Sequence, residues 1–503
     1  MFVRKKKNKS GVLSIQVITK FNGKSKLVKT IGSSKIESEI ELLVSQAQKY
    51  IDTYGGQQII DFTTPDTLVK SVFQNITSHI EIGTELLLGQ IFDEIGFNKI
   101  QGDLLRELVF ARLSYPVSKL KTSDYLIRNK NIDIPVQKIY RYLDKLYAEQ
   151  KEQIQQLSYQ HTLKILGGSI SIVFYDVTTL YFQIDDEDEI RKRGFSKEGR
   201  HQNPQIVLGL LVSVGGYPLA YDIFEGNKFE GHTMLPVLET FRKKYNLDRL
   251  IIIADSGLLS SQNISKLQET GYEFILGARI KNEKQAIRDK ILSLKLKNAE
   301  SQIIEKDDGL KLIISYSDKR AKKDSYNRER GLIRLEKLIK TGKLTKSNIN
   351  NRGYNKYLKM DGEVKVSIDK SKFEADGKWD GLKGYLSNTS LPKDEIIENY
   401  GQLWKIEKAF RISKHDLKIR PIYHRLRRRI EAHITINFVA YKVYKELERQ
   451  LKEKKSVLSP EKAIDIAKTI YQIKAASSNQ NTVKHILLLN EQQKQLAKLF
   501  GFG

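Results

Sequence analysis

The sequence predicts a mixed α/β core with helical and β-rich additions, and three patterns carry that expectation. Five short apolar runs punctuate its middle: SISIVFYD (169–176), IVLGLLVS (206–213), YPLAYDIF (217–224), RLIIIADS (249–256) and YEFILGA (272–278). Runs of this length read as buried strands. Helical periodicity separates the later ones, in HTMLPVLETFRKKY before the fourth and from Leu259 to Thr270 before the fifth. On either side, Leu86 to Gln160 and Lys393 to about Lys454 repeat apolar residues at three- and four-residue spacing, the mark of helix.

Three strands joined by tight connections, then helix, strand, helix, strand, is the order of the ribonuclease H fold. The other elements follow in chain order. Residues 11–31 alternate β-formers with polar residues around Asn22-Gly23, a two-residue hairpin signal, and predict a small basic sheet. Helix is expected from Glu37 to about Thr53. The stretch GDLLRELVFARLSYPVSKLKTSDYLIRN has short helices with a proline break and reads either as a helix-turn-helix or as ordinary helical packing. Residues 282–391 are Lys-rich, with alternating runs (LKLIISYS, GEVKVSID) and one helical piece, and predict a β-rich insertion. Helix resumes at Lys393, is interrupted by Pro421, and the tail from Pro460 to Gly503 reads as two short helices. No repeat of 20–50 residues is evident.

Charge narrows the partners. The 503 residues carry 86 Lys+Arg against 60 Asp+Glu, a net charge of +26, and no cysteine. A disulfide scaffold, a zinc ribbon and a thiol-dependent enzyme are excluded. The excess positive charge calls for a polyanion, with nucleic acid ahead of a membrane surface. The basic N-terminus lacks the apolar core of a signal peptide. Ile206 to Tyr221 is too short to span a bilayer and is broken by Gly215-Gly216 and Pro218, so it reads as a hairpin. A cytoplasmic, nucleoid-associated protein is expected.

Chemistry points to carboxylates. Asp176 closes one predicted strand and Asp255 another, each followed by small or hydroxylated residues. A carboxylate there is held at the rim of a sheet, where a cleft forms. A helix N-cap or turn role is the plainer alternative for either one alone. A third acid, Glu407, lies in NYGQLWKIEKAFRISKHDLKIRP. On a helix, Tyr400, Trp404, Glu407, Arg411 and Lys414 share one face, while Leu403, Ile406, Phe410 and Leu417 form the core stripe beside it. An i,i+4 pair with Arg411 on a solvated surface is the plainer reading of Glu407. The eight histidines show no zinc-ligand spacing. Three hard oxygen donors suit Mg²⁺ or Mn²⁺.

These segments carry a resemblance. YDVTTLYF, FEGN with FEGHTMLPVLE, IIADSGLLS, and YGQLWKIEKAFRISK with RIEAHI resemble the DDE transposases of bacterial insertion sequences, specifically the IS4-like superfamily and its IS1634 branch, over roughly residues 85–450. The family signature Y-x2-R-x3-E-x6-K is matched in register by Tyr400, Glu407 and Lys414, while Leu403 stands at the Arg position. The resemblance implies a ribonuclease H-like core with Asp176, Asp255 and Glu407 as catalytic metal ligands. It further implies two Mg²⁺ (or Mn²⁺) ions, Asp176 bridging them, with Tyr400 and Lys414 on phosphates near the transposon end. Lys405 or Arg411 would supply charge beside Leu403, and Trp404 would either stack on a base or pack in the core.

Other charged runs have two readings each. Asp185 to Glu189 is a solvated acidic surface before a metal site, with Arg191-Lys192-Arg193 as local partner or DNA contact. Arg425, Arg427, Arg428 and Arg429 are expected to track DNA backbone, few acids being near in sequence, with a salt-bridged helix surface as the alternative. Arg4 to Lys7 and Lys319 to Lys323 are phosphate contacts or solvated turns.

The expected organisation is a basic β-hairpin region (1–35), a mainly helical DNA-binding region (36–165), the first part of the ribonuclease H-like core (166–281), a β-rich insertion (282–391), the rest of the core with the Glu407 helix (392–454) and a helical tail (455–503). The expected function is a DNA transposase. It would bind terminal inverted repeats of double-stranded DNA as a homodimer, cleave with metal-activated water and join 3′-hydroxyl ends to target DNA. A metal-dependent nuclease without strand transfer and an inactive DNA-binding repressor are the alternatives.

Overall fold

The computed structural model describes residues 1–9, 11–21, 23–54, 73–196, 199–247, 249–258, 260–306, 309–344, 346–350, 353–361, 365–476 and 482–502. They form two compact units, Met1–Thr77 with Lys474–Val483 and Ser78–Ile473 with Lys484–Gly503.

In the first unit, strands β1 (Phe2–Lys7), β2 (Leu13–Phe21) and β3 (Lys24–Ser34) make an antiparallel sheet in that order. Phe21 pairs with Lys24, so the chain turns in two residues as expected. Gly23 adopts a φ of 75°, which such a turn needs; Asn22 lies outside the described residues. The basic run Arg4 to Lys7 is a paired strand, not a turn. Helix Glu37–Thr53 sets Ile40 and Ala47 on Ile15 and Val17, which gives this unit its own core.

The remaining strands are β4 (Ile76–Glu81), β5 (Ile172–Tyr181), β6 (Gln205–Ser213), β7 (Pro218–Glu225), β8 (Ile251–Ala254), β9 (Glu273–Ala278), β10 (Ser301–Glu305), β11 (Lys311–Tyr316), β12 (Leu358–Asp361), β13 (Lys365–Ile368), β14 (Leu382–Ser387), β15 (Tyr471–Ala476) and β16 (Thr482–Leu487). One eight-stranded sheet runs β10-β11-β14-β9-β8-β5-β6-β7. Its β7-β6-β5-β8-β9 portion has antiparallel pairs up to β5 and parallel pairs beyond it, and its elements follow along the chain as expected, three strands and then helix, strand, helix, strand. Alternate residues of β5 serve opposite faces: Phe174 enters the core shared with the C-terminal helices, whereas Val173 and Tyr175 meet Val237, Leu238 and Phe241 of helix Met234–Tyr245. A sheet covered on both faces explains the uninterrupted apolar runs.

Three expectations need correction. The stretch 282–391 does not stand apart from the core, because β10, β11 and β14 extend the main sheet, although it carries small cores of its own: Ile291, Ile304, Leu312 and Ile314 pack together, and the β12-β13 pair packs with the long helix Asp318–Lys340. The helices Gly83–Ile95, Leu104–Ser114, Val136–Lys145 and Lys151–Ile165 do not stand apart as a region with a core of its own. Their apolar faces share one core with the sheet and with helix Arg427–Glu453. Leu104–Ser114, the first helix of the helix-turn-helix candidate, is almost wholly buried there, while the second, Lys119–Lys130, buries only part of its surface. The tail contains helices Pro460–Ala467 and Glu491–Phe500, but also β15 and β16, which sequence reading missed. Among the described residues no helix is long and apolar enough to cross a membrane.

Candidate active site

Asp176 and Asp255 sit at matching positions on neighbouring parallel strands. β5 and β8 pair through Tyr175 opposite Ala254, and each aspartate is the next residue. Asp176 does not close its strand, as the sequence implied: β5 runs on to Tyr181 against β6, and only its parallel pairing with β8 stops at Tyr175. Asp176 is half-buried, and its Oδ1 accepts from the Val177 amide at 2.8 Å. By alternation it shares the sheet face of Phe174, the face covered by the helix that carries Glu407.

That helix is not the continuous rod the periodicity predicts. Helix Lys393–Gly401 gives way to Trp404–Arg411 through tight i→i+3 bonds, Leu403 N to Tyr400 O (3.0 Å) and Ile406 N to Leu403 O (3.1 Å). A π-turn over Ile412–Asp416 then widens it, with Leu417 N donating to Ile412 O at 2.9 Å. The residues expected on one face therefore separate. Tyr400 is only 5% exposed, whereas Trp404, Glu407 and Arg411 are exposed. Leu403, 8% exposed, belongs to the core, and Ile406, Phe410 and Leu417 join it as expected.

Tyr400 turns inward to the acids. Its hydroxyl donates to Asp255 Oδ1 at 3.3 Å, and its ring meets Tyr385 edge-on with Lys383 Nζ 4.4 Å from the ring centre. Gly277 on β9 makes the room, since a methyl there would strike the Tyr400 hydroxyl. Burial, then the negative charge of Asp255, pushes the Tyr400 phenol well up, so it stays a hydrogen-bond donor. Lys383 of β14 is held below the ordinary lysine range by burial and by Arg320, against the opposing pull of Asp255 and Glu407. Lys383 thus lies in the field of both acids and Tyr385 backs Tyr400, and neither was singled out in the sequence; Arg320, which acts on Lys383, belongs to the basic run Lys319 to Lys323 noted there. The alternation in GLKGYLS would have placed Lys383 on one face of a strand, but not beside Asp255.

Glu407 does not pair with Arg411; among the described residues it has neither hydrogen bond nor ion pair. Trp404 is 54% exposed, which removes the packing alternative. Lys405 is half-buried and donates to the Val214 carbonyl (2.6 Å) and Gln402 Oε1 (2.7 Å). Lys414 is half-buried within the π-turn.

The arginine cluster is salt-bridged, contrary to the scarcity of acids near it in sequence. Arg428 and Arg429 bind Asp144 at 2.8 and 2.9 Å, and Arg427 binds Glu431 at 3.0 Å. Asp144 comes from a helix far away in sequence, so only the fold reveals it. Arg425 is exposed in the loop ahead of these. The acidic run is braced locally: Asp188 accepts from Arg191 at 2.6 Å and Glu187 from the Arg193 amide at 2.6 Å.

A family model, described as a transposase DDE domain, matches residues 167–442, more than half of the chain. The chain belongs to the DDE transposase family. The matched span begins just before β5 and ends inside helix Arg427–Glu453, so it encloses all three acids. Solved structures similar to this chain include a piggyBac transposase synaptic complex with hairpin DNA, at 11% identity over 80% of this chain and 79% of that one, with a TM-score of 0.39. A Mos1 transposase paired-end complex with left transposon end matches at 9% identity over 34% and 56%, TM-score 0.16. A Mos1 mariner paired-end complex with Mn matches at 11% over 46% and 71%, TM-score 0.15. No curated protein matches the chain.

DDE transposases use divalent metal ions. Asp255 and Glu407, exposed oxygen donors, with Asp176 one strand away, fit such an ion in kind. The ligand atoms of these three do not all lie within 4.8 Å of one another; among the described residues only Glu94, His161 and Glu446 do. That second group is already served by a cation, because Arg449 binds Glu446 at 2.5 Å and Glu94 at 3.8 Å. His161 beside it is pushed down to about 3, by burial first and then by Lys442 and Arg449.

Proposed function

We propose that the chain is a DNA transposase whose chemistry is carried by Asp176, Asp255 and Glu407. It would recognise the terminal inverted repeats of its own element, pair the ends as a homodimer, cut the DNA and join the 3′-hydroxyl ends to a target. The observation that carries this reading is the matched register of Asp176 and Asp255 on adjacent parallel strands, with the Glu407 helix over the same face. Mg²⁺ or Mn²⁺ on these carboxylates would activate the attacking oxygen and stabilise the leaving one. Tyr400 would fix the orientation of Asp255, and the fields of Lys383 and Arg320 favour a polyanion approaching the acids. That role for Tyr400, behind the acid, replaces direct phosphate contact as the reading its burial favours. Trp404 and Arg411, exposed on the Glu407 helix, are available to DNA, with Lys414 beside them and Lys405 through what its carbonyl contacts leave free. Arg425 and Arg428 would reach backbone further on, Arg428 by exchanging Asp144 for phosphate.

The test is a strand-transfer assay with Mg²⁺ on DNA carrying the ends of the element. Joined products support the reading. Cutting without joining would make the protein a nuclease, and binding alone would make it a repressor. Asp176→Asn, Asp255→Asn and Glu407→Gln should each bind ends normally and lose both reactions; full activity in any one removes that residue from the site.

A further inference from the structure

A second basic site lies away from the three acids. A cleft of about 620 Å³ opens between the start of helix Lys119–Lys130, helix Val136–Lys145 and the 418–424 segment, and Arg112, Lys119, Lys121, Lys418 and His424 line it. Two of its cations are inside the protein. Arg112 is 5% exposed and Lys119 is 4% exposed.

Among the described residues neither has a counter-charge. Arg112 reaches only backbone carbonyls, those of Leu417, Lys418 and Val117 at 3.3–3.5 Å, and its Nε has no partner. Lys119 has no hydrogen bond or ion pair among the described residues. Among the described residues no carboxylate lines the cleft. Asp144, whose field reaches His424, is bound to Arg428 and Arg429.

Burial without a partner disfavours the charged form of both groups and, with Arg112 beside it, holds the Lys119 amine well below its ordinary range, so an anion entering the cleft would restore the ammonium. Lys119 is also the first residue of a twelve-residue helix, where the backbone amides and the helix dipole favour an anion. Ser118 caps one of those amides, at Lys121. The ammonium, the guanidinium and the helix terminus converge on one polar cleft.

We infer that this cleft is a phosphate-binding site, distinct from the Asp176, Asp255 and Glu407 cluster, in which Lys119 and Arg112 hold the oxyanion at the start of helix Lys119–Lys130. The inference does not rest on the transposase reading. The phosphate belongs either to a nucleic acid, as an end group or a backbone diester, or to a free anion.

Thermal unfolding of the full chain in inorganic phosphate, against chloride at equal ionic strength, tests it. Phosphate should raise the Tm beyond chloride, and Lys119→Met should abolish that increment while unfolding no lower than wild type in chloride, because it replaces a buried amine without a partner by an apolar chain of similar length. Lys119→Arg should keep the increment and guards against misfolding of the first variant. Equal Tm values in the two salts, or an increment that survives Lys119→Met, would overturn the site. Anisotropy with a thymidine oligonucleotide bearing a 5′-phosphate or a 5′-hydroxyl separates the sources. A 5′-phosphate preference lost in Lys119→Met, by roughly tenfold or more, identifies an end group. Equal weakening of both identifies a backbone diester, and a variant effect confined to inorganic phosphate identifies a free anion.

Discussion

Tyr400 and Lys383 show how single residues tune the acids. The Tyr400 hydroxyl supplies a hydrogen bond to Asp255 from a buried ring, so removing that oxygen alone leaves the packing in place. Tyr400→Phe should lower cleavage about ten- to a hundredfold, with end binding unchanged, in the Mg²⁺ assay. A binding defect of equal size would instead put Tyr400 on the DNA. Trp404 is the opposite case. Because its ring is more than half exposed, Trp404→Ala should shift unfolding free energy by no more than about 0.5 kcal/mol. If the ring stacks on a base, the same variant weakens end binding by about 1–3 kcal/mol, and unchanged binding would end that role.

At the scale of elements, the site depends on how closely strand and helix approach. Gly277 lets the Tyr400 hydroxyl lie against β9, and no side chain fits between them. Gly277→Ala should cost about 1–3 kcal/mol in urea unfolding and reduce cleavage by displacing Tyr400 from Asp255. The broken helix from Lys393 to Asp416 serves the same end. Its tight turn points Tyr400 inward, and its later turns leave Glu407 outside. Heptad-like spacing in the sequence located the helix and its core stripe correctly. It did not show the break, because i→i+3 and i→i+5 bonds are chosen by what the helix packs on. Likewise, the apolar run of β5 was legible, but its continuation past Asp176 depends on pairing with β6.

Over the whole molecule, separate cores make separable predictions. Val17 is buried in the core of the first unit, which shares no residue with the core around the sheet. Val17→Asp should unfold that unit and leave the main thermal transition in place; loss of end binding in the same variant would assign DNA recognition to residues 1–77. Two histidines weaken the larger unit in acid. His161 is held down to about 3 and His424 to about 4, chiefly by burial. Their ordinary value is near 6.5, so between about pH 6.5 and 4 these two sites bind more protons in the unfolded chain, whereas Glu107, raised to about 7 chiefly by burial, binds more in the folded one. The two histidines should therefore contribute stability that rises with pH across that window, and His424→Gln should make the slope measured by urea unfolding at several pH values less positive.

By itself the sequence determined the succession of strands and helices in the core, the helix carrying Glu407 and the basic excess, and it put forward the three acids as candidates. Those follow from apolar periodicity and from residue type, which are local. Tertiary structure decided that the helices after Gly83 belong to the catalytic unit, that strands of the 282–391 stretch extend its sheet, that Asp144 claims two arginines, and that Tyr400 and Lys383 attend the acids. Periodicity marks which face of an element must be buried, but any apolar surface of the right shape can bury it. Charge in a sequence likewise has no partner until folding brings one within a few ångströms.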